Sequence, residues 1–490
     1  MHKQKDVSAY YSGEYRLLEI IDYMAKIART IELMGKDDPI FIFSHIDADG
    51  ITSAAIIVTL LRELNKPFVL NFLPQITPEI FDPLWEDIEP RYVLFLDLGS
   101  DVPLKYIEST SSVSIGIVID HHIVSKPERY SKGLIINPRV WGIDGGSEVS
   151  TSGMAFLLSN TVDGFFESYP HTVFYAITGA LGDAQDVGVN RSLIGINHVL
   201  VKYGNQYGVL RSHEDYILIG KSFKPLYRLL AETFIFEIPG VTGSYEGALD
   251  FLVKNGIVDV ERDSEKIFWD QLTPERKDML RKKLLEALIL KYSGKHTIEE
   301  LNNILMGCVY EFVASMDFFC RYARDLSMLL NACGKMRAPE IGVGGLIEPS
   351  NKSIVQQMFQ LYERYRAVLS SVFKNLESKV NFVGKIAIYD GRDEVHEELT
   401  STISSILASS LKDKAKIVIA VARSVGDSLK VSLRKTALLA DISLAQILKK
   451  IMPRIPSMIG GGHESAAGAY IPERHFDEFI ELLNREITYE

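Results

Sequence analysis

Cysteine is nearly absent from this chain: Cys308, Cys320 and Cys333 are the only three in 490 residues, and no two form a CxxC pair. That excludes a disulfide-stapled scaffold and argues against a thiolate zinc site, leaving buried thiols as the reading. No apolar run approaches the ~20 residues that a membrane helix needs, so no membrane partner is expected. Basic charge is not in excess either, since 53 Lys+Arg stand against 64 Asp+Glu for a formal net charge of -11. Any nucleic-acid binding must therefore use a local patch rather than a global field. The first residues, MHKQKDVSAYYSGEY, contain no apolar signal core, which gives a cytoplasmic expectation. Internal repeats and low-complexity tracts are missing as well.

What is present is a globular composition, 47% hydrophobic and 24% charged, on a chain long enough for two or three domains. The stretch IFIFSHIDADG at 40–50 reads as a buried strand, then a turn carrying His45, Asp47, Asp49 and Gly50, then a helix over 51–64. An amphipathic helix over 15–35 precedes it. Further apolar runs at 67–72, 91–96, 114–119 and 134–136 predict strands, two of which run directly into Asp97 and into Asp120-His121-His122. Strands alternating with helices predict a mostly parallel sheet with flanking helices. Residues 150–203 read as helical, with a loop at 182–190.

The span 204–338 shows no lasting strand pattern and is predicted to be a helical insert, with helices over 274–292 and 316–331. A long bridging helix follows at 354–376, within a linker at 339–380. Strands at 385–389, 417–422, 429–434 and 469–471, with helices at 397–411, 443–451 and 475–484, predict a second, smaller α/β domain. The expected organisation is thus α/β overall, with domains at 1–203, 204–338, 339–380 and 381–490.

Three strand ends in one domain carry acidic or imidazole side chains. A lone Asp after a strand is ordinarily a turn residue or a helix cap, but three such ends together are hard to dismiss. Carboxylate and imidazole without thiolate suit Mn²⁺, with Mg²⁺ as the alternative, and two ions ~3.5–4 Å apart suit in-line phosphoryl displacement. Asp183, in GALGDAQD at 179–186, ends an apolar helical run and is a credible further ligand; Asp186 reads as surface or as support behind the ligands.

DADG, an isolated Asp after a strand, DHH and GALGD, in that order, resemble the motifs of the DHH phosphoesterase superfamily. GGGHESAAG at 460–468 resembles the glycine-rich loop of the DHH-associated domain, and Asn331-Ala332-Cys333-Gly334-Lys335 resembles the Asn-Ala-Ala-Gly-Arg motif of RecJ-type nucleases. The resemblance spans both α/β regions, leaves much of the insert uncovered, and is nearest to archaeal RecJ-like exonucleases. It implies that Asp47 and Asp97 hold one ion and that Asp49, Asp97, His121 and Asp183 hold the other. His122 would face the scissile phosphate, Asp120 would orient the histidines, and His45 would be a ligand or a phosphate contact. Lys335 stands where the family has Arg, which reduces a forked phosphate contact to a point charge.

For the second α/β domain the expectation is strand binding. Between 411 and 454 there are ten Lys/Arg and three Asp, 10 − 3 = +7. Arg423, Ser424 and Arg434 from this run, with Gly460, Gly461, Gly462 and His463, are the predicted phosphate contacts, joined by Asn331 and Lys335. Trp141 is a candidate stacking platform, though such a Trp is more often core. The leading reading is a metal-dependent exonuclease on single-stranded DNA or RNA in DNA replication or repair, with GINS and the replicative helicase assembly as candidate partners. One alternative is a replisome scaffold whose nuclease is vestigial. The other is a phosphoesterase acting on short oligonucleotides or cyclic dinucleotides.

Overall fold

A computed structural model describes residues 14–124, 130–233, 238–259, 266–292, 297–316, 318–374, 379–411, 414–439, 442–462 and 464–488. Contacts divide the chain into two compact units, one drawn from residues 1–76 and 85–359 and the other from 77–84 and 360–490.

In the first unit, β1 (Ile40–His45), β2 (Phe68–Leu73), β3 (Tyr92–Leu96), β4 (Ile115–Ile119) and β5 (Gly133–Ile136) form a parallel sheet in the order β2-β1-β3-β4-β5. Every residue of β3 is buried, as the unbroken run YVLFL requires of a central parallel strand. The strand order reverses between β1 and β3, and open α/β sheets bind ligands outside the carboxyl ends of their strands at such a switch point. His45 and Asp47 leave β1 there, and Asp97 leaves β3.

Helix Ala48–Glu63 is buried from Ala48 to Leu61, because helices Thr151–Ser159, Thr172–Gly182, Ala323–Lys335 and Pro339–Ile347 pack around it. Its sequence has little polar face to offer water, so burial on all sides is the arrangement it permits. Pro339–Ile347 was expected within the linker; it is instead a buried helix of this unit, with Gly342 against Ile51. The long helix spans Lys352–Lys374.

The 204–338 region contains helices Pro274–Lys291 and Ile298–Leu305 and a core around Trp269, Leu280, Leu284 and Leu288. It also contains two strands not expected from sequence, β6 (Leu210–Tyr216) and β7 (Met306–Phe312), paired antiparallel. The run LRSHEDY buries only its two ends, so it carries no apolar signal. The last helix of the region begins at Ala323 rather than 316.

The second unit holds β8 (Val380–Val383), β9 (Ile386–Asp390), β10 (Ile417–Arg423), β11 (Ser428–Lys435), β12 (Ile459–Gly462) and β13 (Ala466–Pro472), in the order β12-β13-β11-β10-β9-β8. β9 and β10 are parallel and the other pairs antiparallel. Leu429, Val431 and Leu433 face a core built with helices Leu444–Ile451 and Phe476–Thr488, while Ser432 on the other face meets Thr400 of helix Thr400–Ser410. The triple glycine, expected as a loop, is the edge strand β12: backbone pairing with β13 needs no side chains.

Candidate metal centre

Asp47 caps the helix Ala48–Glu63, its Oδ1 accepting from the Gly50 N–H at 3.0 Å. Its Oδ2 lies 3.0 Å from His45 Nδ1. Asp49, in the first turn of the same helix, is fully buried and receives the backbone N–H groups of Thr151 (2.7 Å) and Ser152 (3.0 Å). Those donors are the free amides at the start of helix Thr151–Ser159, an end that favours a carboxylate.

Asp97 adopts φ 62, the left-handed region that a residue with a Cβ occupies at a cost of about 1–3 kcal/mol, as strained residues at working sites do. The turn is held by its N–H on the Ile119 carbonyl and by the Thr151 hydroxyl on Oδ1, both at 3.0 Å. Its two oxygens face different imidazoles: Oδ1 is 3.3 Å from His121 Nε2, and Oδ2 is 3.5 Å from His45 Nδ1. Asp183, at the end of helix Thr172–Gly182, brings Oδ2 to 3.3 Å from His121 Nε2.

The atoms able to ligate form three groups, each within 4.8 Å: His45, Asp47 and Asp97; Asp49, His121 and Asp183; and Asp97, His121 and His122. The first two groups are a natural pair of cation sites with Asp97 between them. Two observations fit a divalent cation in each. His45 Nδ1 is buried, close to two carboxylates, and makes no aligned hydrogen bond. Burial pushes the carboxyl of Asp49 up to about 6 with the charge of Asp97 adding to it, and burial and the charge of Asp49 raise Asp183 well above the ordinary range. A dication relieves that repulsion. For Asp97 burial also pushes upward, but the imidazoles of His121 and His45 beside it outweigh that and hold the group well below the usual range.

The two adjacent histidines are oriented differently. His121 places Nδ1 2.6 Å from the Gly145 carbonyl, which leaves Nε2 for the carboxylates. A Cβ on Gly145 would collide with the His121 carbonyl, so a residue without a side chain is required there. His122 places Nδ1 2.8 Å from Asp120 Oδ1. Asp120 is fully buried, and its other oxygen accepts from Ser100 Oγ at 2.8 Å and Asn137 Nδ2 at 3.4 Å. Burial lowers the pKa of His122, and the Asp120 hydrogen bond reverses that and raises it. Asp120 therefore orients one of the two histidines expected for it, and a backbone carbonyl serves the other.

Asn331 Oδ1 accepts from the Ala48 N–H at 2.9 Å, tying helix Ala323–Lys335 to the acidic turn. Gly334 lies against the Ile46 carbonyl so closely that any Cβ would overlap it. Lys335 ends this helix. Asp186 is paired with Arg324 at 2.6 Å, and Trp141 packs on Tyr23 at 5.6 Å between ring centroids.

In the second unit, Arg423 and Arg434 lie toward opposite ends of the β10–β11 ladder, opposite Leu429 and Val418 respectively. Arg423 is engaged by Glu473 (2.6 Å) and Asp393 (3.3 Å), and Ser424 N–H bonds the Ser428 carbonyl. Lys435 and Lys450 are paired with Glu464 and Glu486, so with Arg423 three cations of this run are matched by acids from elsewhere. Arg434 is half-buried, burial lowers its pKa, and among the described residues no acid is paired with it. On its face of the sheet, Ser432 aligns with Gly468 and Gly461, and a Cβ on Gly461 would meet open space. Gly460 and Gly462 alternate with Gly461 along β12, and His463 lies outside the described residues.

Sequence reasoning did not anticipate Ser100, Asn137, Gly145, Thr151, Ser152 or Gln185. The run Val149-Ser150-Thr151-Ser152 carries the start signal of a helix, but nothing in it announces that its amides receive Asp49.

Residues 39–177 match the DHH family, N-terminal domain; residues 218–302 match the DHH-CID domain; and residues 382–488 match the DHHA1 domain. An uncharacterized protein of Methanocaldococcus jannaschii is 25% identical over 96% of this chain and 99% of its own length. The fold is similar to RecJ of Thermus thermophilus in complex with Mn²⁺ (18% identity, TM-score 0.57), where the match covers 96% of this chain and 55% of that one. It is also similar to CDC45 of Entamoeba histolytica (12% identity, TM-score 0.62, 95% and 98% covered). This chain thus spans about half the length of the Thermus RecJ. Among the described residues, no helix is long and apolar enough to cross a membrane.

Proposed function

We propose that this chain, which through its DHH, DHH-CID and DHHA1 domains belongs to the DHH superfamily, is a two-metal phosphodiesterase that degrades single-stranded DNA or RNA from an end. The observation that carries the reading is the ligand set: Asp47, Asp49, Asp97, His121 and Asp183 are all present and brought together, with His45 Nδ1 beside Asp47 and Asp97. Two divalent cations, Mn²⁺ or Mg²⁺, would activate water and neutralise charge on the phosphate. Asp97 would bridge them, His45 and Asp47 completing one site and Asp49, His121 and Asp183 the other.

The chain's own side chains supply the rest. Asp120 accepts from Nδ1 of His122 and favours the doubly protonated ring, whose Nε2–H is then the group left to donate a hydrogen bond or proton to a phosphate oxygen. In the second unit, Arg434, on the sheet face that carries Ser432 and Gly468 and in register with Ala466, is the cation proposed to take a backbone phosphate. Expected here is Mn²⁺-dependent degradation of a labelled single strand that Asp97→Ala abolishes while leaving the fold intact. Undiminished degradation by that variant would refute the assignment, and activity confined to dinucleotides would favour the short-oligonucleotide reading.

A second reading, a replication-assembly scaffold with GINS as partner, is supported by the fold likeness to CDC45. An intact ligand set weighs against loss of catalysis but is compatible with both roles. Recovery of GINS on the immobilised protein supports a dual role; none recovered removes it.

A further inference from the structure

We propose that Gln185, held by Asn197, is a positioning residue for the metal centre, fixing the segment 145–152 from which three candidate ligands are aimed. The inference rests on the two-cation reading above. Gln185 and Asn197 are both fully buried, and neither belongs to the donor set. Gln185 Nε2 donates to the carbonyls of Gly145 at 2.9 Å and Val149 at 3.4 Å, and its Oε1 accepts from Asn197 Nδ2 at 2.6 Å.

The Gly145 carbonyl is the one that faces His121 Nδ1, and it can accept from both donors because it has two lone pairs. A hydrogen on Nδ1 makes Nε2 the nitrogen with a free lone pair, and Nε2 is the atom that faces Asp97 and Asp183. Farther along the segment, the Thr151 and Ser152 amides hold Asp49, and the Thr151 hydroxyl holds Asp97. By joining the carbonyls of Gly145 and Val149, one amide nitrogen fixes the part of the segment that sets His121 and the part that leads into the donors for Asp49 and Asp97. Asn197 fixes which way round that amide sits, and its own N–H is anchored on the Glu148 carbonyl at 2.8 Å.

A buried glutamine that merely satisfies carbonyls would matter for stability alone; a positioning residue must change metal affinity in protein that is still folded. The test titrates MnCl₂ into the full chain, stripped with chelator, by calorimetry, with Mn²⁺ electron paramagnetic resonance alongside. Gln185→Met keeps length and volume but removes both donors. Its Kd for Mn²⁺ is expected to rise by about 10–100-fold, the usual effect of losing support behind a metal ligand, with an altered resonance line shape and native circular dichroism. Asn197→Asp removes the donor to Oε1 and favours a reversed amide whose oxygen faces the carbonyls; it should shift Kd the same way by a smaller factor. Wild-type affinity in Gln185→Met overturns the inference, as does loss of fold in both variants. Absence of Mn²⁺ binding by the wild-type protein would instead overturn the two-cation reading, and this inference with it.

Discussion

His122 Nδ1 lies 2.8 Å from Asp120 Oδ1, and that carboxylate is itself fully buried and fixed by Ser100 and Asn137. The imidazole is thereby turned to present Nε2, the nitrogen that its protonated form would offer to a phosphate oxygen under the proposed function. Substituting His122→Ala should lower kcat by about 10²–10⁴-fold, the range for loss of a positioned acid, while Mn²⁺ affinity changes little. Asp120→Asn should lower kcat less, and the double variant should be no worse than His122→Ala, because both remove one unit. A fall in Mn²⁺ affinity with kcat preserved at saturating metal would make His122 a ligand instead.

The two arginines of the second unit should behave differently. Arg434 has no acidic partner among the described residues, whereas Arg423 is engaged by Glu473 and Asp393. Arg434→Gln should weaken single-strand binding and reduce the dependence of log K on log salt by about one unit, the signature of one lost phosphate contact. Arg423→Gln should leave that slope unchanged. Fluorescence anisotropy over a salt series measures both, and equal effects would remove the distinction.

Asn331 was expected at the substrate, but its side chain receives the Ala48 N–H at the acidic turn. Asn331→Ala should therefore cost about 1 kcal/mol of stability, the typical net value of one hydrogen bond, with KM for an oligonucleotide unchanged. A higher KM at unchanged stability would return Asn331 to the substrate.

His171 supplies a pH dependence remote from the metal centre. Burial among aromatic neighbours, with Tyr175 5.2 Å away, lowers its pKa from the ordinary 6.5 to about 4. In the unfolded chain it takes up a proton near 6.5, whereas the folded chain resists until about 4, so its contribution is intact at pH 7 and is lost as pH falls through that window. By pH 4.5 the loss should be about 2–3 kcal/mol. Chelator-treated His171→Gln should lose less stability than wild type between pH 7 and 4.5 in urea titrations; parallel losses would refute the assignment.

Much of the candidate centre was legible because its residues follow apolar runs that end abruptly: IFIF before His45 and Asp47, YVLFL before Asp97, IGIVI before the Asp120-His121-His122 triplet. Order along the chain then marked Asp183 as a further candidate. The supports were not legible, since Gly145, Thr151 and Gln185 act through backbone amides and carbonyls whose direction is set by packing. The strand Leu210–Tyr216 was missed because its burial comes from its ends and its pairing, with no alternation in the sequence to signal it. The basic run was legible only as a count. Charge counted along the chain ignores acids that fold back from elsewhere, such as Glu464, Glu473 and Glu486.

The most direct measurement is a Mn²⁺ time course on strands labelled at either end, single-stranded and duplex, in DNA and in RNA, with a chelator control. Stepwise shortening of a single strand from one end, abolished by chelator and absent on the duplex, is the predicted result. No hydrolysis of any strand in Mn²⁺ or Mg²⁺, or hydrolysis indifferent to chelator, would contradict the account.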